Sequence, residues 1–165
     1  MILEVQAMVE KGASKEKIGL RGPMPPGVLF AVYDSASGTP DYIPPEHSDI
    51  PQLLDELVEY VNTTDDHPLI IAAIVHYQLV TIHPFEDGNG RIARAITELM
   101  LAKAEKSSYR FYSMSAQIQK QKNEYYKILE NTQKGTLDIT NWIKWFLKTM
   151  LKVQFLTVIL PEKPP

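Results

Sequence analysis

A chain of 165 residues with 44% hydrophobic content can bury one substantial core and requires no second domain. Its formal charge of -3 and isoelectric point near 5.8 give no basic footprint for nucleic acid, and no lysine or arginine run forms a membrane patch. Cysteine is absent, which excludes disulfides and thiolate zinc sites; with no basic-led leader and no apolar stretch of membrane-spanning length, a soluble, cytoplasmic protein is expected.

Residues 2–10 carry a helical pattern that Lys11 and Gly12 can stop. Between 15 and 26, Gly19, Gly22, Pro23, Pro25 and Pro26 predict an irregular connection. Residues 28–33 are rich in strand formers, 35–40 have turn chemistry and 41–43 can return alongside, so 29–43 reads as a hairpin. Pro44 and Pro45 punctuate its end. Ser48 or Asp49 can cap a helix starting near Pro51, where Leu53, Leu54, Leu57, Val58 and Val61 recur at helical spacing. After a polar break at 62–66, residues 67–82 are apolar nearly all round, which predicts a buried central helix. His76 and His83, seven apart, could share a face of it. A metal pair is rejected for want of a third ligand, and His76 reads as a hydrogen-bonded core histidine.

The next helix is expected over 89–103, with Ile92, Ala95, Ile96, Leu99 and Met100 as its core stripe. A break at 106–110 and an extended piece at 111–114 lead to a helix that Ser113 or Ser115 caps and that runs to about Thr132. Residues 133–135 turn. Asp138 caps the last helix, whose packing face is Ile139, Trp142, Ile143, Phe146 and Leu147. The expected class is all-α, a helical bundle with one small hairpin. It divides into an N-terminal helix and irregular connection at 1–26, the main domain at 27–152, and a tail or linker at 153–165. The abrupt start and linker-like end suit a piece of a longer protein.

The chemistry gathers in residues 83–94, between the two central helices. Gly88 and Gly90 permit a tight turn or a close backbone approach, and the first N–H groups of the following helix have no intrahelical partner. With the helix dipole, they form a cradle for phosphate. Arg91 and Arg94, three apart, share a helix face from which two guanidinium forks can reach one anion. Asp87 can hold a hard divalent cation against that phosphate, and His83 is the candidate general base. Phe85 anchors the loop in the core. Taken singly, His83 would be a helix-end cap, Asp87 a turn former, and the arginines partners of Glu86 or Glu98. Together they point to nucleotide chemistry.

The run H-P-F-E-D-G-N-G-R-I-A-R resembles the Fic family signature, H-x-F-x-D/E-G-N-G-R-x-x-R. Its fixed positions are filled by His83, Phe85, Asp87, Gly88, Asn89, Gly90, Arg91 and Arg94. The likeness extends to 72–83, to Y-I-P-P at 42–45, to Tyr125 and Tyr126, and to D-I-T-N-W-I at 138–143. The resemblance implies a Fic-fold helical bundle with 29–43 as a flap over the active loop, where a target protein pairs by strand addition. It also implies Mg²⁺-dependent transfer of AMP from ATP to a Tyr, Thr or Ser hydroxyl, with pyrophosphate leaving. His83 would take the hydroxyl proton, Asn89 would donate to the α-phosphate, and Arg91 and Arg94 would take the β- and γ-phosphates. Asn89 could equally be a helix N-cap. Tyr125 and Gln133 fall where family members contact adenosine, and Tyr42 lies on the flap; Gln133 replaces the asparagine expected there. A homodimer is compatible with this reading.

Many Fic proteins restrain themselves with a helix bearing S/T-x-x-x-E-G/N, and no such match is found here. Restraint would come from a preceding segment or from a separate antitoxin-like partner. The alternatives are an idle Fic-fold interaction module, a phosphotransferase, which Gly88 and Gly90 disfavour, and removal of AMP, which generally needs the missing glutamate.

Overall fold

The computed structural model describes residue 4 and residues 19–33, 38–105 and 113–159, with side chains through residue 154. The helix expected at 2–10 lies outside the described residues except for Glu4, as do the hairpin tip, the break after residue 105 and the proline-rich end. Two strands and six helices follow in the described parts: β1 (Val32–Tyr33), β2 (Pro40–Tyr42), α1 (Ile50–Thr63), α2 (Pro68–Ile82), α3 (Asn89–Glu105), α4 (Met114–Lys120), α5 (Lys122–Gln133) and α6 (Thr140–Ile159). The all-α class with one small hairpin is what the fold shows. None of the described helices is long and apolar enough to cross a membrane.

The two strands pair antiparallel, Val32 with Tyr42 and Tyr33 with Pro40, with an irregularity between the two pairs. They are shorter than the expected 28–33, because the chain turns before them: Val28 N–H donates to Pro25 C=O at 3.0 Å. The expected cap of α1 by Ser48 or Asp49 is not made. A 3-10 turn, His47–Asp49, runs straight into the helix, and Asp49 has helical backbone angles with no side-chain cap bond. Ile50 and Leu57 are buried in α1, whereas Val58, expected on the apolar stripe, is 43% exposed.

The central helix α2 starts at Pro68, whose missing N–H belongs to an orphan position anyway. His67 caps it, Nδ1 accepting from Leu69 N–H at 3.2 Å. Its neighbours are α1, α3 and α6. The small Ala73 lets Trp142 of α6 approach closely enough for the indole Nε1–H to donate to Ala73 C=O at 2.8 Å. In α3 the buried face is Asn89, Ile92, Ala93, Ile96, Thr97 and Leu101. Leu99 is 48% exposed, so the expected stripe was rotated by part of a turn.

The single helix expected from 113 to 132 is two, broken at Gln121 (φ -106°, ψ 29°). Ser113 is the cap, its Oγ accepting from Ala116 N–H. Asp138 does lead the last helix, accepting from Thr140 N–H at 2.8 Å. That helix crosses the boundary expected after residue 152: Val153 is buried and the helix continues to Ile159.

His76 is fully buried and joins three helices. Thr97 Oγ1 donates to Ala93 C=O, so it accepts from His76 Nδ1–H at 2.9 Å, and His76 Nε2 accepts from the Tyr125 hydroxyl at 3.0 Å. The imidazole also packs against Trp142 and Phe146 of α6. Burial lowers its pKa to about 3, with Arg94 adding to the effect, so it stays neutral. The core-histidine expectation holds, and the bonds require one tautomer.

Candidate active site

The active loop begins where α2 ends. His83 occupies the C-cap position in the left-handed region (φ 50°, ψ 57°), and its N–H bonds Leu79 C=O at 3.1 Å. Glycine usually takes this place at a helix end. A histidine there bears some strain, and it turns the imidazole off the helix axis. The side chain returns to its own helix, Nδ1 lying 3.3 Å from Val80 C=O. A carbonyl only accepts, so Nδ1 carries the proton and Nε2 keeps a lone pair. Burial lowers the His83 pKa below its ordinary value; Val80 and Asp87 oppose the shift, and Arg21 adds to it. The imidazole is therefore mostly unprotonated at neutral pH. His83 faces Phe30 of the hairpin at 5.9 Å between ring centroids, rather than stacking with His76.

The loop is closed by two bonds between one pair of residues. Asn89 Oδ1 accepts from Phe85 N–H at 3.0 Å, and Asn89 Nδ2 donates to Phe85 C=O at 2.8 Å. The side chain thus reaches back into the loop instead of capping α3 as an N-cap would. Phe85 is fully buried beneath it, as expected of an anchor. Gly88 has φ 80°, a conformation that side chains resist. Its N–H is taken by Asp87 Oδ1 at 2.7 Å. Among the described residues, no hydrogen bond occupies the N–H groups of Asn89 and Gly90, at the start of α3. These are the donors an anion would meet.

The two arginines sit differently. Arg91 is exposed and pairs with Asp87, Nη2 to Oδ2 at 3.1 Å. Arg94 is half-buried, and its Nη1 lies 3.4 Å from where a Cβ on Gly90 would stand. Its charge acts on His76 and Tyr125. Glu98 is engaged elsewhere, accepting from Ser113 Oγ and Ser115 N–H.

Asp87 has an 84% exposed side chain. Among the described residues, no group of three or more His, Cys, Asp or Glu could cage a metal. One accessible carboxylate beside an anion cradle fits Mg²⁺, which keeps several waters and is commonly held by one or two carboxylates together with substrate phosphates.

The remaining expected residues lie on the surrounding elements. Gln133, at the end of α5, donates to Thr81 Oγ1 in the last turn of α2 at 3.1 Å, close in sequence to His83. Tyr125 is placed in the core, 3% exposed, with its hydroxyl on His76. Burial raises its pKa. Tyr42, on β2, is half-buried, and burial with help from Tyr77 pushes its phenol up to about 12. The sequence reading missed Arg21 and Phe30. Arg21 donates through Nε to His83 C=O and through its backbone N–H to Pro84 C=O, and Phe30 lies between it and the imidazole. Both belong to stretches read only as a connection and a strand, and no periodicity links them to residue 83.

The Fic/DOC family matches residues 2–101. The chain belongs to the Fic/DOC family. It is 30% identical over 131 residues to the protein adenylyltransferase Fic of Drosophila yakuba and to that of Drosophila melanogaster, each alignment covering 75% of this chain and 25% of the relative. The chain thus spans about a quarter of the length of these curated relatives. A Fic family protein from Desulfovibrio desulfuricans superposes with a TM-score of 0.79 at 21% identity, over 99% of this chain and 48% of that one. Fic-1 of C. elegans (residues 134–508) gives 0.68 at 24% identity, over 96% and 42%. These similarities show the shared fold.

Proposed function

We propose that this chain transfers AMP from ATP to a hydroxyl side chain of a target protein. The observation that carries the reading is the state of His83: Nδ1–H is directed at Val80 C=O, so Nε2 is the nitrogen left to accept a proton. It supports a reaction in which the target oxygen bonds the α-phosphorus as Nε2 takes the hydroxyl proton. The bond from that phosphorus to the pyrophosphate oxygen breaks, and pyrophosphate carries away the bonding electrons. A neutral imidazole suits this role near pH 7.

The other residues bind and orient. The N–H groups of Asn89 and Gly90 and the positive end of α3 would receive the inner phosphates. Arg91 and Arg94 would take the outer ones, Arg91 releasing Asp87 to do so. Asp87 would hold Mg²⁺, whose chemistry is to neutralise charge on the phosphates and the leaving pyrophosphate. Asn89 keeps the loop in this shape through Phe85. Gln133 is the adenosine-side candidate, because its bond to Thr81 brings the end of α5 to the end of α2. Tyr125 supports that end from the core through His76. The hairpin bearing Tyr42 is the proposed docking edge for the target.

The test supplies the chain with Mg²⁺, a cell lysate and ATP labelled on the α-phosphate. Label should enter protein with the parent chain and not with His83→Ala. Label that enters only from the γ-phosphate would replace this reading with phosphotransfer.

A further inference from the structure

We propose that Arg21 is a positioning residue for His83, clamping the backbone that keeps the imidazole in place. The inference deepens the AMP-transfer reading and rests on it for the meaning of "in place". Arg21 lies 62 positions before His83, in the connection ahead of the hairpin, and is only 5% exposed. It reaches three pieces of chain at once. Nε donates to His83 C=O at 2.8 Å, the backbone N–H donates to Pro84 C=O at 2.8 Å, and Nη2 donates to Pro45 C=O just beyond the hairpin. Its Cζ stands 4.5 Å from the centre of the Phe30 ring, and that ring is 5.9 Å from the His83 ring.

This arrangement has a physical purpose at residue 83. The left-handed backbone is unfavourable for histidine and persists only where the surroundings over-determine it. The N–H of His83 is held by Leu79, and that bond fixes one side of the residue. The other side, its own C=O and that of Pro84, is held by Arg21 alone among the bonds the described residues make there. Burying a guanidinium is costly, and here its donors are spent on backbone carbonyls of the loop and of the hairpin's exit. The planar fork matters as much as the charge. Nε and Nη2 point at acceptors 38 residues apart in the chain, His83 and Pro45, while the flat face covers Phe30. A lysine has one nitrogen and no flat face.

If the clamp loosens, residue 83 can leave the left-handed region and Nδ1 can lose Val80. The imidazole would then exchange between tautomers, and fewer molecules would present Nε2 as the base. Nucleotide contacts further along the loop, fixed by Asn89 and Phe85, would be spared.

The experiment uses Arg21→Met and Arg21→Lys in the full chain, both checked for folding by circular dichroism. The His83 imidazole nitrogens are followed by NMR, and AMP transfer is measured against ATP concentration. The parent should show a single Nδ1–H tautomer, and both variants an averaged one. In transfer, kcat should fall on the order of 10- to 100-fold while KM for ATP stays within about threefold. If the methionine variant does not fold, the lysine variant decides. A parent-like tautomer pattern in a folded variant overturns the clamp whatever the activity does, and so does a loss confined to KM. Should the parent transfer no AMP, that reading falls by itself, and the tautomer measurement still decides the role of Arg21.

Discussion

Asp87 and Arg91 hold each other across the first turn of α3, Oδ2 to Nη2 at 3.1 Å, although each is proposed to serve the same magnesium-bound triphosphate. The pair is solvent-exposed, with side chains 84% and 46% accessible, so its contribution to folding is small. Without ligand the two charges are adjacent and partly neutralise each other. In the proposed reaction, binding would exchange this ionic partnership for phosphate on Arg91 and Mg²⁺ on Asp87.

Asp87→Asn and Arg91→Ala should therefore each change unfolding free energy by less than about 1 kcal/mol. The same substitutions should reduce AMP transfer on the order of 100-fold or more, because they remove charge opposite the reacting phosphates. Urea unfolding beside labelled-AMP transfer checks both halves. A large stability loss would mean that the pair is a structural brace.

His83→Ala should leave a folded chain and lower transfer by roughly 10²- to 10⁴-fold, the usual range for a positioned general base. The pH profile follows from the sign of the shift. Burial lowers the His83 pKa from its ordinary 6.5, so the neutral, proton-accepting form persists to lower pH than for a free imidazole. Initial rates should be flat from pH 8 to pH 7 and decline only below about pH 6.5. An acidic limb centred above 7 would contradict the burial argument.

The buried His76 makes stability depend on pH in a defined direction. Its folded pKa of about 3 lies below the ordinary 6.5, so between those values the unfolded chain binds the extra proton. The contribution of His76 is fully present above 6.5 and is lost as the pH falls toward 3. Each unit crossed corresponds to about 1.4 kcal/mol. From pH 7 to pH 5 the parent should lose about 2 kcal/mol more than His76→Gln, whose side chain does not titrate. Denaturant unfolding at the two pH values measures the difference, and equal losses would show that His76 charges without penalty.

The two loop glycines should respond oppositely to alanine. Gly88 has φ 80°, so Gly88→Ala should cost about 1 to 2 kcal/mol and disturb the turn that presents Asp87. Gly90 is helical, and a Cβ there would meet only the end of Arg94, Nη1 at 3.4 Å. Gly90→Ala should leave folding unchanged or improve it by up to about 1 kcal/mol, while the new methyl, in contact with the Arg94 guanidinium, crowds the proposed phosphate approach and lowers transfer. Thermal unfolding separates the two cases.

The central helix was legible because residues 67–82 are apolar on every side, a pattern that only burial accommodates. The active loop was legible because its residues are contiguous: turn, anchor, acid and arginines lie within twelve positions, and local chemistry suffices to group them. Errors came where packing chose among similar options. Leu99 and Val58 were assigned inward on periodicity, yet both are exposed, and in α3 the packing buried Ala93 and Thr97 instead. The break at Gln121 and the 3-10 turn before Ile50 have no strong local signal, so one helix was read where there are two, and a side-chain cap was expected where none is made. What only the tertiary structure decided was which distant polar groups meet. Tyr125 reaches His76 across 49 positions, Gln133 reaches Thr81 across 52, and Arg21 reaches His83 across 62. Such pairs obey no period, because the packing of whole elements sets their separation; residues 83–94 supply the candidate reactive groups, and the surrounding fold sets the tautomer and direction of His83.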